Sequence, residues 1–171
     1  MKVGICGKMA SGKTTLAKGF EEEGYQIISL ADEVKRVGRE LFNMTGKDRP
    51  LLQQIGMKMR EIRPSVWLDA LMNQAENYPN VVCDDVRFIN EAKTLKENGW
   101  YLIKIEIDEN LQRNRLMMTY PDHWDKHWDN RHDSSEAEVD KIPHEIFDLI
   151  LTAEDSQSLF NLCRPSIKQD E

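Results

Sequence analysis

The run Gly7-Lys8-Met9-Ala10-Ser11-Gly12-Lys13-Thr14 sets two glycines, a lysine and a hydroxyl residue at the spacing G-x-x-x-x-G-K-S/T. Glycines let backbone N–H groups turn inward around an anion, and a helix starting at the end of the run adds the positive end of its dipole. The Lys13 ammonium has the reach to contact the β- and γ-phosphates of a nucleoside triphosphate, and the Thr14 hydroxyl is placed to ligate magnesium. Gly7, Ala10, Ser11, Gly12, Lys13, Thr14 and Thr15 are therefore the candidate residues for binding ATP. The bland alternative is a structural glycine turn. Against it stand the ungapped match and its position between an apolar strand and a helix.

A second group of chemistry-bearing residues follows the apolar run Val81-Val82-Cys83, which leads into Asp84-Asp85. A carboxylate at the end of a buried strand holds magnesium directly or through water. Neighbouring strand residues face opposite ways, so one of the two aspartates is expected at the metal beside Thr14, and the pattern does not choose between them. Arg87, two residues beyond Asp85, is suited to bidentate contact with a phosphate. An acidic turn followed by a surface arginine is the competing reading.

These groups need a scaffold that presents loops on one edge, and the alternation of apolar patterns supplies it. Val3 and Ile5 read as a strand, Leu16 to Glu23 as a helix stopped by Gly24, Tyr25 to Leu30 as a strand, and Ala31 to Phe42 as a helix. Leu51 to Ile62 and Trp67 to Tyr78 read as two more helices, Val81 to Cys83 as a short strand and Ile89 to Asn98 as a helix ended by Gly99. Trp100 to Ile107 is the clearest strand, followed by a helix from about Glu109 to Met118. Tyr120 to Asp133 shows no apolar period and reads as a polar lid. Ser135 and Glu138 have capping-box spacing, Phe147 to Leu151 reads as a last strand, and Ser156 to Cys163 as a last helix. Strands alternating with helices imply parallel strands joined by crossovers, with ligands at their carboxyl ends. That rule puts Gly7, Ala31-Asp32, Asp84-Asp85, Asp108 and Thr152 along one edge.

A chain of 171 residues is one domain by default and large enough to bury a core. A net charge of −7 argues against general affinity for a nucleic-acid backbone, so any phosphate must be bound locally. Three cysteines without metal-type spacing point to reduced thiols and an intracellular, cytoplasmic protein. No stretch has the apolar length of a membrane span, and no membrane partner is expected.

The order and spacing of several segments resemble the bacteriophage and bacterial deoxynucleoside monophosphate kinases, within the P-loop nucleoside monophosphate kinases. They are Gly7 to Thr15, Leu30-Ala31-Asp32-Glu33-Val34-Lys35, Arg49-Pro50-Leu51-Leu52-Gln53-Gln54-Ile55-Gly56 with Arg60 and Trp67, and Asp84-Asp85-Val86-Arg87-Phe88-Ile89-Asn90-Glu91-Ala92. The resemblance covers roughly residues 1 to 115 and returns loosely from Asp148 to Leu159. It implies a three-layer α/β P-loop fold with a five-stranded parallel sheet in the order 2-3-1-4-5. The core would span 1–30, 79–119 and 141–171, with a helical acceptor-binding insert at 31–78 and a lid at 120–140. It implies an acceptor site of Asp32, Lys35, Arg36, Arg60, Asp85 and Arg87, and catalytic roles for Lys13, Arg87, Arg113 and Arg115, with ATP as phosphoryl donor and Mg2+ held by Thr14 with Asp84 or Asp85.

Each residue also has a plainer reading. Asp32 stands at cap spacing from Ser29, Lys35 and Arg36 suit a solvated helix face, Glu91 suits a helix dipole, and Trp67 suits a core. Arg113 and Arg115, two apart, do not share a helical face, so one of them is expected to be structural. The family carries a His-x-Ser-Glu cluster near the lid, and His132-Asp133-Ser134-Ser135-Glu136 has one residue more. The lid's His123, His127 and His132 with Asp125, Asp129 and Asp133 form a candidate metal cluster, though a lid that keeps water from the phosphates fits the pattern better. The expected activity is γ-phosphoryl transfer to a nucleoside monophosphate. A kinase of dephospho-coenzyme A or a sugar acid and an ATPase module are the alternatives, and a homodimer stays open.

Overall fold

The computed structural model describes residues 1–46, 48–129, 134–153, 160, 161 and 163. The strands β1 (Lys2–Gly7), β2 (Gln26–Ile28), β3 (Val81–Val86), β4 (Tyr101–Glu106) and β5 (Leu149–Thr152) form one sheet in the order β2-β3-β1-β4-β5. β1 pairs in parallel with β3 and β4, and β4 with β5. The order expected from the resemblance is the order found. Alternation along β1 builds the layers: Val3 and Ile5 are buried in one cluster with Leu16, Ala17 and Phe20 of α1 (Lys13–Glu22). Gly4 faces the other way, where a Cβ would stand 2.7 Å from Leu102 Cδ2 and 3.6 Å from Leu95 Cδ1 of α5 (Ile89–Glu97). The sheet is thus covered on both faces, as a parallel sheet requires.

The chain groups into two compact units, Met1–Ile27 with Asn80–Glu171, and Ile28–Pro79. The second contains α2 (Leu30–Phe42), α3 (Arg49–Ile62) and α4 (Val66–Ala75), and buries Leu30, Ile55, Trp67, Leu68 and Leu71. Asp48 caps α3 by accepting from the Leu51 N–H at 3.0 Å, and Pro50 fits the first turn, where no amide partner is lost. Trp67 is core: it is 4% exposed and its Nε1 donates to the Gly56 carbonyl at 3.1 Å.

Local differences from the sequence expectation have local causes. The strand expected over Tyr25 to Leu30 ends at Ile28, because Ser29 caps α2: its Oγ accepts from the Ala31 N–H at 3.2 Å, which makes Leu30 helical. The strand expected over Val81 to Cys83 runs on to Val86. Gly4 lies opposite Cys83 and Cys6 opposite Val86, so Asp84 and Asp85 together oppose one residue of β1, which is a β-bulge. The polar excursion after α6 (Glu109–Thr119) contains a short helix, α7 (Trp124–Asp129), with Arg113 over the Trp124 ring at 5.3 Å and Tyr120 against His127 at 4.3 Å. α8 (Ser134–Lys141) begins before Ser135, so Ser135 is inside the helix and not its cap. The helix expected over Ser156 to Cys163 lies largely outside the described residues, although Phe160 packs edge-on against Phe20 and Cys163 is buried. No helix among the described residues is long and apolar enough to cross a membrane.

Candidate active site

The loop after β1 is shaped by left-handed backbone at two positions, Ala10 with φ 62° and Gly12 with φ 105°. Alanine there carries about 1 kcal/mol or more of local strain, which the surrounding bonds must hold in place. Four successive carbonyls of the loop all accept hydrogen bonds. Lys8 O takes the Ser11 N–H at 3.2 Å and Lys13 Nζ at 2.7 Å, and Met9 O takes Gln112 Nε2 at 3.0 Å. Arg115 Nη1 donates to Ala10 O at 3.1 Å and to Ser11 O at 3.4 Å, while its Nη2 reaches Ala153 O at 2.5 Å. With its carbonyls so engaged, the loop leaves the N-terminal amides of α1 to point onward, and no side chain caps that terminus. Gly7 closes the turn: a Cβ there would stand 2.6 Å from Ser11 Oγ and 2.8 Å from the Ile105 carbonyl.

The donor set fits a polyphosphate with a divalent cation. Lys13, the first residue of α1, is 8% exposed. Burial, and then Arg87, pull its ammonium down to about 8, while Glu136, Cys6 and Asp84 oppose that shift. Thr14 Oγ1 donates to Asp84 Oδ2 at 3.0 Å, so Asp84 is the aspartate placed beside the loop hydroxyl. Asp85 Oδ1 instead accepts from Cys83 Sγ at 3.1 Å. Ser11 Oγ is buried and has no partner. Arg87 Nη1 bonds Glu136 Oε1 at 2.8 Å.

A hollow of about 550 Å³ involving Lys2, Trp100 and Asp148 lies at the amino ends of β1 and β4, away from this chemistry. Beside the loop is a cavity of about 430 Å³ lined by Gly12, Thr14, Thr15, Arg115, Thr119 and Tyr120 among others. That volume lies within the usual range for small-ligand sites.

The structure therefore gathers Gly7, Ala10, Ser11, Gly12, Lys13, Thr14, Thr15, Asp84 and Arg87 in one unit. Arg113 and Arg115 are both on α6 and turn to different partners, Trp124 and the loop carbonyls. In the other unit Lys35 pairs with Asp32 at 3.0 Å, and Arg36 bridges Glu33 and Glu40, each at 2.7 Å, along its own helix. Arg60 is exposed on α3. Asp108 caps α6, accepting from the Asn110 N–H at 2.8 Å. His132 and Asp133 of the lid cluster lie outside the described residues. Among the described residues no three His, Cys, Asp or Glu side chains stand together as a metal site.

Two residues, Gln112 and Glu136, carry roles that sequence reasoning did not give them, and Glu91, read as suiting a helix dipole, does more. Glu91 accepts the Arg87 N–H at 3.0 Å and the Phe88 N–H at 3.1 Å, which fixes the turn after β3. Its place three residues into α5 was the available signal. Gln112 had none, since its meaning depends on which face of α6 meets the loop. It is 2% exposed. Gln112→Ala is expected to leave the Met9 carbonyl unpaired in a dry site, costing about 1–2 kcal/mol, read as a lower urea midpoint at constant m-value. An unshifted midpoint would show that the carbonyl finds another donor.

A strand, a glycine-rich loop of the G-x-x-x-x-G-K-S/T pattern and a helix that begins at its lysine, set in a five-stranded sheet in the order 2-3-1-4-5, give the chain an α/β fold of the P-loop kind. No family model matches it. A protein of Acanthamoeba polyphaga mimivirus named "Putative deoxynucleotide monophosphate kinase" is 29% identical to it, over 61% of this chain and 72% of the relative. That similarity runs in the direction already read from the motifs. Among solved structures, TT1252 from Thermus thermophilus superposes with a TM-score of 0.67 at 17% identity, covering 99% of this chain and 97% of the other. Shikimate kinase from Acinetobacter baumannii in complex with shikimate superposes with a TM-score of 0.63 at 17% identity, covering 99% and 94%. At such identities the shared property is the fold.

Proposed function

We propose that the protein transfers the γ-phosphoryl group of ATP to a nucleoside monophosphate, most readily a deoxynucleotide, releasing ADP and the corresponding diphosphate. The observation that carries this reading is the uncapped start of α1, with Lys13, the Thr14–Asp84 pair and Arg87 at the same sheet edge. The sequence similarity to a protein named as a deoxynucleotide monophosphate kinase supports the acceptor class.

In this reading the amides of Gly12 to Thr15 cradle the β-phosphate, and Lys13 neutralises charge on the β- and γ-oxygens as the bond between the γ-phosphorus and the bridging oxygen breaks. A phosphate oxygen of the acceptor forms the new bond to that phosphorus, and being already anionic it needs no general base. Arg87 stabilises the transferring group. Thr14 and Asp84 would hold Mg2+, which supplies charge neutralisation on the triphosphate. The cavity beside Arg115 and Tyr120 is proposed to receive the donor's base and ribose. Arg113, on the lid side, is proposed to act when the lid closes, and Asp85 to orient the acceptor. Asp32, Lys35, Arg36 and Arg60 are proposed as acceptor-binding residues, which requires the α2 ion pairs to open for the ligand. The division into core, acceptor-binding insert at 31–78 and lid at 120–140 belongs to the same proposal, as does a cytoplasmic setting.

The test is ADP formation from MgATP with a panel of ribo- and deoxynucleoside monophosphates, plus shikimate, gluconate and dephospho-coenzyme A. Strong dependence on one deoxynucleoside monophosphate is expected. Dependence on one of the other acceptors would reassign the substrate, and equal ADP release with no acceptor would make the protein an ATPase module.

A further inference from the structure

Glu136 stands out among the charged residues near the loop because it is buried, at 7% exposure, and both of its oxygens are used. Oε2 accepts the Met9 N–H at 2.7 Å and Oε1 accepts Arg87 Nη1 at 2.8 Å. One carboxylate thus ties the phosphate loop to the arginine at the end of β3. Both bonds are charge-assisted, the stronger class of hydrogen bond, and the carboxylate that accepts them is buried, although the Arg87 side chain is 34% exposed. One turn on, Asp140 pairs with Lys8 at 2.7 Å, but it is 60% exposed and adds little to the anchoring of α8.

We propose that Glu136 is a positioning residue for phosphoryl transfer, one that fixes the Arg87 guanidinium against the phosphate loop through its bridge to the Met9 amide. The inference rests on the reading that Arg87 touches the transferring group. A carboxylate is itself repelled by phosphates, so Glu136 acts through Arg87 and not on substrate. The backbone of Arg87 is already pinned by Glu91, which leaves the long side chain as the free variable. An arginine that samples many rotamers meets the transition state less often and loses the benefit of preorganisation.

The experiment compares the wild type with Glu136→Gln, Arg87→Ala and the double variant. It measures ADP formation with the best acceptor and MgATP affinity by calorimetry, and records the nitrogen-15 spectra of arginine side chains. Glu136→Gln keeps shape and volume, and Glu136→Asp is added as a shorter carboxylate that restores part of the rate. Glu136→Gln is expected to lower kcat by about 100-fold while the KM for MgATP changes little. The double variant is expected to be no slower than Arg87→Ala alone, because the two residues act as one unit. The Arg87 Nη–H signals, which belong to the nitrogens facing Glu136, are expected to move to the position of solvent-exposed arginines in Glu136→Gln. Losses that multiply in the double variant, or an Arg87 signal untouched by Glu136→Gln, would overturn the proposal. If the wild type uses no monophosphate, the acceptor reading falls. The Arg87 signal still decides the bridge: movement in Glu136→Gln supports it and an unchanged position refutes it.

Discussion

Lys13→Ala is expected to lower kcat/KM for MgATP by about 10³-fold, since in the proposed reaction the variant removes an ammonium from the phosphate loop, where charge moves during transfer. The fold should survive. Lys8 O, which loses Lys13 Nζ, keeps the Ser11 N–H at 3.2 Å. The stability effect has a definite sign. The Lys13 pKa falls from 10.5 to about 8, with burial as the first cause and Arg87 as the second, so the folded protein disfavours the charged form. A shift of that size corresponds to about 3 kcal/mol held against the fold at neutral pH. Lys13→Met, which keeps most of the volume and drops the charge, is therefore expected to raise the thermal midpoint of the nucleotide-free protein while losing activity as Lys13→Ala does. A lower midpoint in Lys13→Met would mean that the ammonium is stabilised by something other than its ligand.

The same shift predicts two opposed pH trends in the wild type. Below about 8 Lys13 is protonated in the free protein, and MgATP finds its partner charge in place. As pH rises through about 8 the folded protein loses that proton while an unfolded chain keeps it to 10.5, so MgATP affinity falls and the contribution of Lys13 to stability rises. Both trends should vanish in Lys13→Met. Calorimetric titrations at a series of pH values, paired with thermal melts, check them together.

How far the sequence could be read depends on where the determining information lies. The phosphate loop was legible because its chemistry is local: Gly7 must lack a Cβ, Gly12 must adopt positive φ, and Lys13 must open a helix, all within eight positions. The parallel sheet followed from the alternating patterns, and its strand order from the resemblance. What escaped is non-local. Nothing in the order of residues says that Gln112, 103 positions from Met9, would satisfy its carbonyl. Nor does it say that Arg115, placed on α6 as a catalytic candidate, would turn its Nη1 to two loop carbonyls. Arg113 and Arg115 do face different partners, as their spacing of two requires. The aspartate pair was left undecided for a different reason. Strict alternation assumes a regular strand, and the bulge opposite β1 makes these two positions irregular.

That bulge underlies the last prediction, which separates the two aspartates. Asp84 accepts the Thr14 hydroxyl at 3.0 Å, and two oxygens at that distance are already placed to share one magnesium ion or its waters. Asp85 turns toward the Cys83 thiol at 3.1 Å, a weak donor held in its thiol form because burial, then Asp85 itself, raise its pKa. Asp84→Asn keeps the shape and an acceptor for Thr14, so its thermal midpoint should stay close to that of the wild type. It removes the negative charge that would bind the cation. The expected result is a kcat lower by about 10²- to 10³-fold and a magnesium titration displaced to higher concentration. Asp85→Asn is expected to leave the magnesium midpoint where it was and to act, if it acts, on the KM of the acceptor. Titrating Mg2+ at fixed ATP for both variants decides the matter: a displaced midpoint in Asp85→Asn with an unmoved one in Asp84→Asn would assign the ion to Asp85 and require the bulge to open when nucleotide binds.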